Sequence, residues 1–126
     1  MSDYNPVYTG GAAPFTMTAS AAITGGQVLA NSGVGTVAPA GATSTSFVGV
    51  AAQDAASGAR VTVWPLPGVI HESTASGAIT AGNTLSTGAS GTVAAGTAGT
   101  IAAAGQLLGL ALTTAADTAK VRWIGR

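Results

Sequence analysis

Residues 47–64 read FVGVAAQDAASGARVTVW and have the pattern of a β-hairpin. An apolar run (FVGVA), a turn of small and polar residues (QDAASG) and an alternating strand (RVTVW) follow one another. Alternation with a period of two is typical of a strand whose two faces differ in environment. We therefore predict that Val61 and Val63 face a core and that Trp64 faces the opposite way.

The same arrangement returns at residues 107–123, which read LLGLALTTAADTAKVRW. It belongs to a longer internal repeat, in which Ile23 corresponds to Ile79 at an offset of 56 residues and Arg60 to Lys120 at an offset of 60. The extra residues fall in the low-complexity stretch 94–105. A unit of this size does not bury its apolar face alone, so the two halves are predicted to pack together.

The second copy of the repeat extends the predicted core. Val121 and Trp123 correspond to Val61 and Val63, and Trp123 supplies volume that small neighbours lack. These four residues are the predicted core. The duplication covers about residues 20–64 and 76–124.

Short apolar runs alternate with Gly-rich turns from Phe15 to the C-terminus, which predicts an all-β fold. The predicted strands are 15–19, 27–30, 36–38, 47–52, 60–64, 69–72, 84–86, 92–94, 107–112 and 120–124. The Ala run 102–104 could form a single helical turn, but Gly interrupts every window long enough for a longer helix. We predict one small β-sandwich or barrel-like domain at 15–126, built from two similar halves.

The composition indicates a protein that packs against other proteins. Only 6% of the residues are charged, and the four acids balance the four bases, whereas typical soluble domains have roughly 25%. The 28 Ala and 19 Gly residues leave a narrow core. The alternative interpretation is simply an uncharged, Thr-rich β protein. Without a basic stripe, nucleic-acid binding is not expected.

No pattern in the sequence indicates catalysis or a cofactor. There is no Cys, and the single His71 precedes Glu72 on a predicted strand, so their side chains point to opposite faces. We predict no catalytic residue, no metal site and no cofactor. Asp54 and Asp117 are expected to bind backbone donors in turns. No apolar run has the length of a membrane span, and the start lacks a signal-peptide pattern.

Residues 1–14 differ from the rest and are predicted to form an extended arm. Pro6 and Pro14 favour extended backbone before them. The segment carries large side chains, and adding a strand to a neighbour's sheet is a common role for such an arm. A frayed terminus is the alternative. The predicted binding residues are Tyr4, Pro6, Val7, Tyr8 and Phe15.

A subunit contact is predicted near the end of the strand 60–64. Pro65 and Pro67 follow Trp64, and Pro cannot donate to a sheet ladder, so this end lies at an edge. The candidate interface residues are Trp64, Leu66, Val69 and His71. The alternative is a Trp64 side chain folded under a loop.

Several runs of the sequence resemble a known family. The runs VGVAAQDAASGARVTV and GLALTTAADTAKVRW, with AITAGNTL between them, are similar to the small capsid decoration (cement) proteins of tailed bacteriophages. The resemblance covers nearly the whole chain from Phe15. A fainter similarity, of the first of these runs only, extends to the head-decoration protein of phage lambda.

The resemblance implies a structural function rather than catalysis. It implies a β-rich homotrimer that binds the major capsid protein on the outside of the expanded phage head, with an N-terminal arm that engages the shell. The protein would then be made in the host bacterial cytoplasm and end in the virion. The second interpretation is a tail- or fibre-associated binding module.

Overall fold

Two five-stranded β units account for most of the chain. The computed structural model describes residues 4, 6, 7 and 11–126. The first half contains β1 (Phe15–Ala19), β2 (Val28–Gly33), β3 (Thr36–Pro39), β4 (Phe47–Ala51) and β5 (Arg60–Trp64). The second half contains β6 (Ile70–Thr74), β7 (Thr84–Thr87), β8 (Val93–Gly96), β9 (Gly109–Ala111) and β10 (Lys120–Gly125). The prediction of an all-β fold with two similar halves is confirmed, and each predicted strand overlaps an observed one.

The two halves have the same strand order but differ in closure. The first half is a closed barrel in the order β1-β3-β2-β4-β5, and the second is a sheet in the order β6-β10-β9-β7-β8. Read from β1 in the opposite direction around the barrel, the first order becomes β1-β5-β4-β2-β3, which matches the second strand by strand. In the first half, β1 runs parallel to β3 through two residue pairs, one of which joins Ala19 to Val37. In the second half the corresponding contact is a single parallel bridge between Ala75 and Val93. The second half is therefore the more open of the two.

Strand register repeats between the halves. The pair Val50–Trp64 of β4 and β5 corresponds to the pair Leu110–Ile124 of β9 and β10. The pairing of β1 with β5 recurs in the pairing of β6 with β10, where Phe15 corresponds to His71. The structural repeat thus includes β1 and β6, which lie outside the repeat visible in the sequence.

A glycine at the same place in each half explains the repeated FVGV and LLGL patterns. A Cβ atom on Gly49 would collide with the carbonyl oxygen of Trp64, and one on Gly109 with that of Ile124. Neighbouring backbones approach so closely here that only Gly fits at either position.

Two cores lie side by side. The first fills the closed barrel and includes Leu29, Val61 and Val63. The second fills the second half, including Val121 and Trp123, and it also takes in residues from the outer face of β2 and β4 in the first half. All four predicted core residues have 0% exposure. Since the second core is shared, the two halves pack against each other as the sequence predicted.

The extra residues of the second half form a short helix. Helix α1 (Ala98–Ala103) lies between β8 and β9, and Ala89–Gly91 form one 3₁₀ turn. Ile101 is the buried residue of α1, with 5% exposure, and it packs over Gly96, where a Cβ would lie 2.8 Å from its Cγ2. The helix is thus longer than the single turn predicted, because one buried Ile anchors an otherwise Ala- and Gly-rich segment.

Candidate functional site: the N-terminal segment at the junction of the two halves

Tyr4 and Val7 fasten the N-terminal segment to both halves. The Tyr4 amide donates to the carbonyl oxygen of Ala52, just past β4 in the first half. The Val7 amide donates to the carbonyl oxygen of Ile70 at 2.8 Å, at the start of β6 in the second half. Tyr4 and Val7 therefore lie next to the first half and the start of β6, respectively.

The Tyr4 side chain completes a hydrogen-bond chain through His71. The Tyr4 hydroxyl lies 2.8 Å from His71 Nδ1 and accepts from the Glu72 amide at 3.0 Å. His71 Nε2 lies 2.9 Å from the carbonyl oxygen of Pro65. A carbonyl oxygen only accepts, so we assign the proton to Nε2, and Nδ1 accepts from Tyr4. Both ring nitrogens of the neutral imidazole are satisfied.

Burial sets the ionisation of this pair. Loss of solvation lowers the pKa of His71 to about 4, and the hydrogen bond to the Pro65 carbonyl opposes the shift only in part. Burial also raises the pKa of Tyr4 well above its ordinary value, although the amide of Glu72 acts in the opposite direction. Both groups are thus neutral around pH 7, which suits a buried hydrogen bond between them.

A series of side-chain contacts leads from His71 into the second core. The rings of Tyr4 and His71 are stacked with centroids 5.9 Å apart, and His71 and Trp123 lie 5.1 Å apart at a tilt of 38°. Trp123 Nε1 donates to Ser73 Oγ at 3.1 Å, and Ser73 Oγ donates to the carbonyl oxygen of Gly26 at 3.2 Å. Because Gly26 belongs to the first half, these polar contacts join the two halves beside the N-terminal segment.

The predicted arm residues do not share one environment. Tyr4 and Pro6 are half-buried, whereas Val7 is 39% exposed and Phe15, in β1, is 40% exposed. Tyr8 lies outside the described residues. At Tyr4 the predicted arm is bound to the body of the same chain, through both the amide and the hydroxyl of this residue.

The predicted interface residues are mostly interior. Leu66, Val69 and His71 have 5%, 0% and 0% exposure within the single chain, so the expectation that they contact another subunit needs correction. The physical reason is that the β5–β6 connection pairs with the end of β10, where Val69 accepts from the Gly125 amide at 3.0 Å. His71, in β6, is covered by the rings of Tyr4 and Trp123. Trp64 is half-buried, and its enclosed Nε1 has no hydrogen-bond partner among the described residues.

Two acidic side chains outside this junction, those of Asp54 and Asp117, bind backbone amides. Asp54 Oδ1 accepts from the Gly25 amide at 2.9 Å, and Asp117 Oδ1 accepts from the Gly77 amide at 2.8 Å, as expected for turn residues.

A cleft of about 200 Å³ lies between residues 24–27 and the 3₁₀ turn. At its side, Lys120 Nζ donates to Thr74 Oγ1 at 3.1 Å. Across the described part of the chain, no three acidic, His or Cys side chains cluster as metal ligands would.

The search for membrane spans in residues 4, 6, 7 and 11–126 finds no helix with the length and apolar character to cross a bilayer.

The sequence alone did not reveal the Tyr4–His71 contact. Tyr4 and His71 are 67 residues apart, and no periodic pattern links an arm to a distant strand. The signal that was available is the single His in a Thr-rich β chain, because a buried His needs partners for both ring nitrogens.

Comparison with known proteins places this fold among phage structural proteins. The structure is similar to the crystal structure of the N base of the head fibre gp8.5 in bacteriophage phi29, with a TM-score of 0.70 and 22% sequence identity. The similarity covers 90% of this chain and 93% of that chain. No curated protein matches the sequence significantly. The profile of the phage cement protein family matches residues 7–124, and the chain therefore belongs to the phage cement protein family.

Proposed function

We propose that the protein decorates the phage head: it binds the outer surface of the expanded capsid and stabilises it. The observation that carries this proposal is the family match, which spans residues 7–124 and leaves little of the chain for another function. The partner is then the major capsid protein, and the site of action is the exterior of the virion.

The composition supports a role based on many added contacts. With 6% charged residues and a formal net charge of +0, the surface offers mainly small polar and apolar groups to a neighbour. A protein that binds the expanded shell more tightly than the unexpanded one shifts the equilibrium toward expansion. Many copies on one shell multiply that effect.

The N-terminal segment is the proposed capsid-binding element, but Tyr4 is no longer among its proposed binding residues. Tyr4 is engaged with His71, so it holds the segment rather than reaching for the shell. Val7 and Phe15, at 39% and 40% exposure, offer apolar surface to a partner. Pro6 and Tyr8 complete the segment. We further propose that the protein self-associates, as a trimer, when it decorates the head.

A binding assay with purified heads tests the decoration proposal. Expanded heads that lack the protein are mixed with it, sedimented and analysed for bound copies, with unexpanded heads as the matched control. Saturable binding to expanded heads at a fixed copy number is expected. Absence of binding, or equal binding to both forms, would contradict the proposal.

The segment has its own test within the same assay. Phe15→Ser is expected to weaken head binding at least about tenfold if the side chain is buried on the shell, since a buried Phe contributes up to about 3 kcal/mol. Val34→Ser is the control, because Val34 is 103% exposed in the β2–β3 turn and is not part of the segment. Equal loss in both variants, or no loss in Phe15→Ser, would remove the segment from the binding surface.

A second candidate function is the base of a fibre. The similarity in fold to a head-fibre base extends over 90% of this chain, which favours a module that joins the head to another virion protein. This candidate predicts that the protein recovered from gently disrupted virions carries a fibre protein as well as capsid protein. Recovery with capsid protein alone favours decoration.

A further inference from the structure

The outward face of the second half carries a row of aliphatic side chains. In adjacent strands, Ile70 of β6 pairs with Ile124 of β10, and Ile124 pairs with Leu110 of β9. Leu112 continues β9 by one residue, because its amide donates to the carbonyl oxygen of Arg122 at 2.8 Å. Leu110 and Leu112 flank the buried Ala111, so they lie on the same face. We call Ile70, Leu110, Leu112 and Ile124 the outer patch.

The outer patch is partly open to solvent in the single chain. Ile70, Leu110 and Ile124 are half-buried, and Leu112 is 42% exposed, which places it among the few large apolar residues so exposed in the described part of the chain. Three large aliphatic side chains in register, with a fourth next to them, form one continuous surface rather than scattered single residues. Continuous apolar patches of this kind mark protein contacts.

In the first half, the face that corresponds to the outer patch is covered by another β unit. The register equivalents of Ile124 and Leu110 are Trp64 and Val50, and Val50 pairs in turn with Val28 of β2. Val28 and Val50 lie on the outer face of the closed barrel, yet both have 0% exposure. They are buried in the core of the second half. The outer face of one β unit therefore already packs against another β unit inside this chain.

The charges beside the outer patch suit a contact with further copies of this chain. Arg122 Nε and Glu72 Oε2 are 3.2 Å apart, and the two side chains are 54% and 42% exposed. They occupy the next outward positions of β10 and β6. Since one surface carries both signs, it offers each charge an opposite one on a copy of itself.

We propose that the outer patch is the surface through which a second copy of this chain docks. The internal precedent identifies the occupant: the equivalent face of the first half is covered by a β unit of the same repeat, and the second half lacks such a cover within the chain as described. This inference names the surface for the self-association included in the proposed function and rests on it in that respect. It does not depend on capsid binding.

Leu112→Glu tests the proposal in the isolated protein. The new carboxylate would have to be buried in the contact, which is costly even beside Arg122, so association is expected to weaken by at least a hundredfold. The mass of the native protein and of the variant is measured by analytical ultracentrifugation over a concentration series. The native chain is expected to form a defined oligomer, and the variant is expected to sediment as a monomer. Val34→Glu, the same change at an exposed position outside the patch, is expected to keep the native oligomer.

Leu110→Ser provides a second, milder variant of the outer patch. Near-UV circular dichroism of the buried Trp123 verifies that each variant is folded. An oligomer that persists in both patch variants would overturn the choice of surface while leaving self-association intact. A native chain that is monomeric throughout would overturn both. If the patch variants lose head binding while the native chain is monomeric, the patch binds the capsid instead of a second copy.

Discussion

The hydroxyl of Tyr4 lies 2.8 Å from Nδ1 of His71, although 67 residues separate the two in sequence. This contact attaches the N-terminal segment to the edge strand of the second half, while the Tyr4 amide binds the first half. One residue near the N-terminus thus touches both halves at their junction. Tyr4 and Val7, in the stretch that the sequence predicted to be an extended arm, are therefore bound to the body of the same chain.

Tyr4→Phe is expected to destabilise the protein by about 1–3 kcal/mol. The substitution keeps the ring but leaves the buried Nδ1 of His71 and the Glu72 amide without their partner, and an unsatisfied buried polar group costs about that much. Urea unfolding followed by tryptophan fluorescence measures the change. Val34→Ala, at a fully exposed position, should change the free energy of unfolding by less than about 0.5 kcal/mol. A Tyr4→Phe effect no larger than that of the control would argue against the contact.

Stability is expected to fall as the pH drops from about 6.5 to 4. The folded-state pKa of His71 is lowered to about 4, whereas an unfolded His titrates near ~6.5. Between these values the unfolded chain binds more protons, so acidification favours unfolding, by up to about 1.4 kcal/mol per pH unit. Above the unfolded value the contribution of His71 is constant.

His71→Gln isolates this effect from the titration of the carboxylates. Glutamine carries a donor and an acceptor but no titratable group, so the variant should lose the part of the pH dependence that belongs to His71. The measurement is the free energy of unfolding at several pH values for both proteins. Identical slopes for the two proteins between pH 4 and 6.5 would contradict the assignment of a buried, neutral His71.

Gly109→Ala is expected to cost more than about 3 kcal/mol or to prevent folding. The added Cβ would collide with the carbonyl oxygen of Ile124, and backbone cannot move aside as a flexible side chain can. Gly99→Ala, within α1, is the control, because nothing lies within 4 Å of its added Cβ and Ala is favoured over Gly in a helix. Thermal unfolding should therefore show a large loss for the first variant and a small gain for the second.

The sequence predicts the strands well because alternation, glycine spacing and the internal repeat all derive from local geometry. Val61, Val63, Val121 and Trp123 follow from a period of two and are all buried. The equivalence of β1 and β6 is hidden, because Phe15 and His71 occupy the same place in the register with unlike chemistry. Only the strand pairing reveals it.

The candidate site is less visible in the sequence for a related reason. Leu66 and Val69 are predicted at a surface because prolines mark an edge, yet both are buried in a connection that pairs with Gly125 at the end of β10. The Tyr4 contact and the packing of Val28 and Val50 against the second half depend on how two units meet in space. No local pattern encodes that arrangement.

The proposed stabilisation of the expanded head is tested most directly by the temperature at which heads release DNA. DNA-filled heads lacking the protein are titrated with it and heated with a dye that reports released DNA. The release temperature is expected to rise with occupancy and to level off when the sites are full. A release temperature that stays unchanged at full occupancy would contradict the claim.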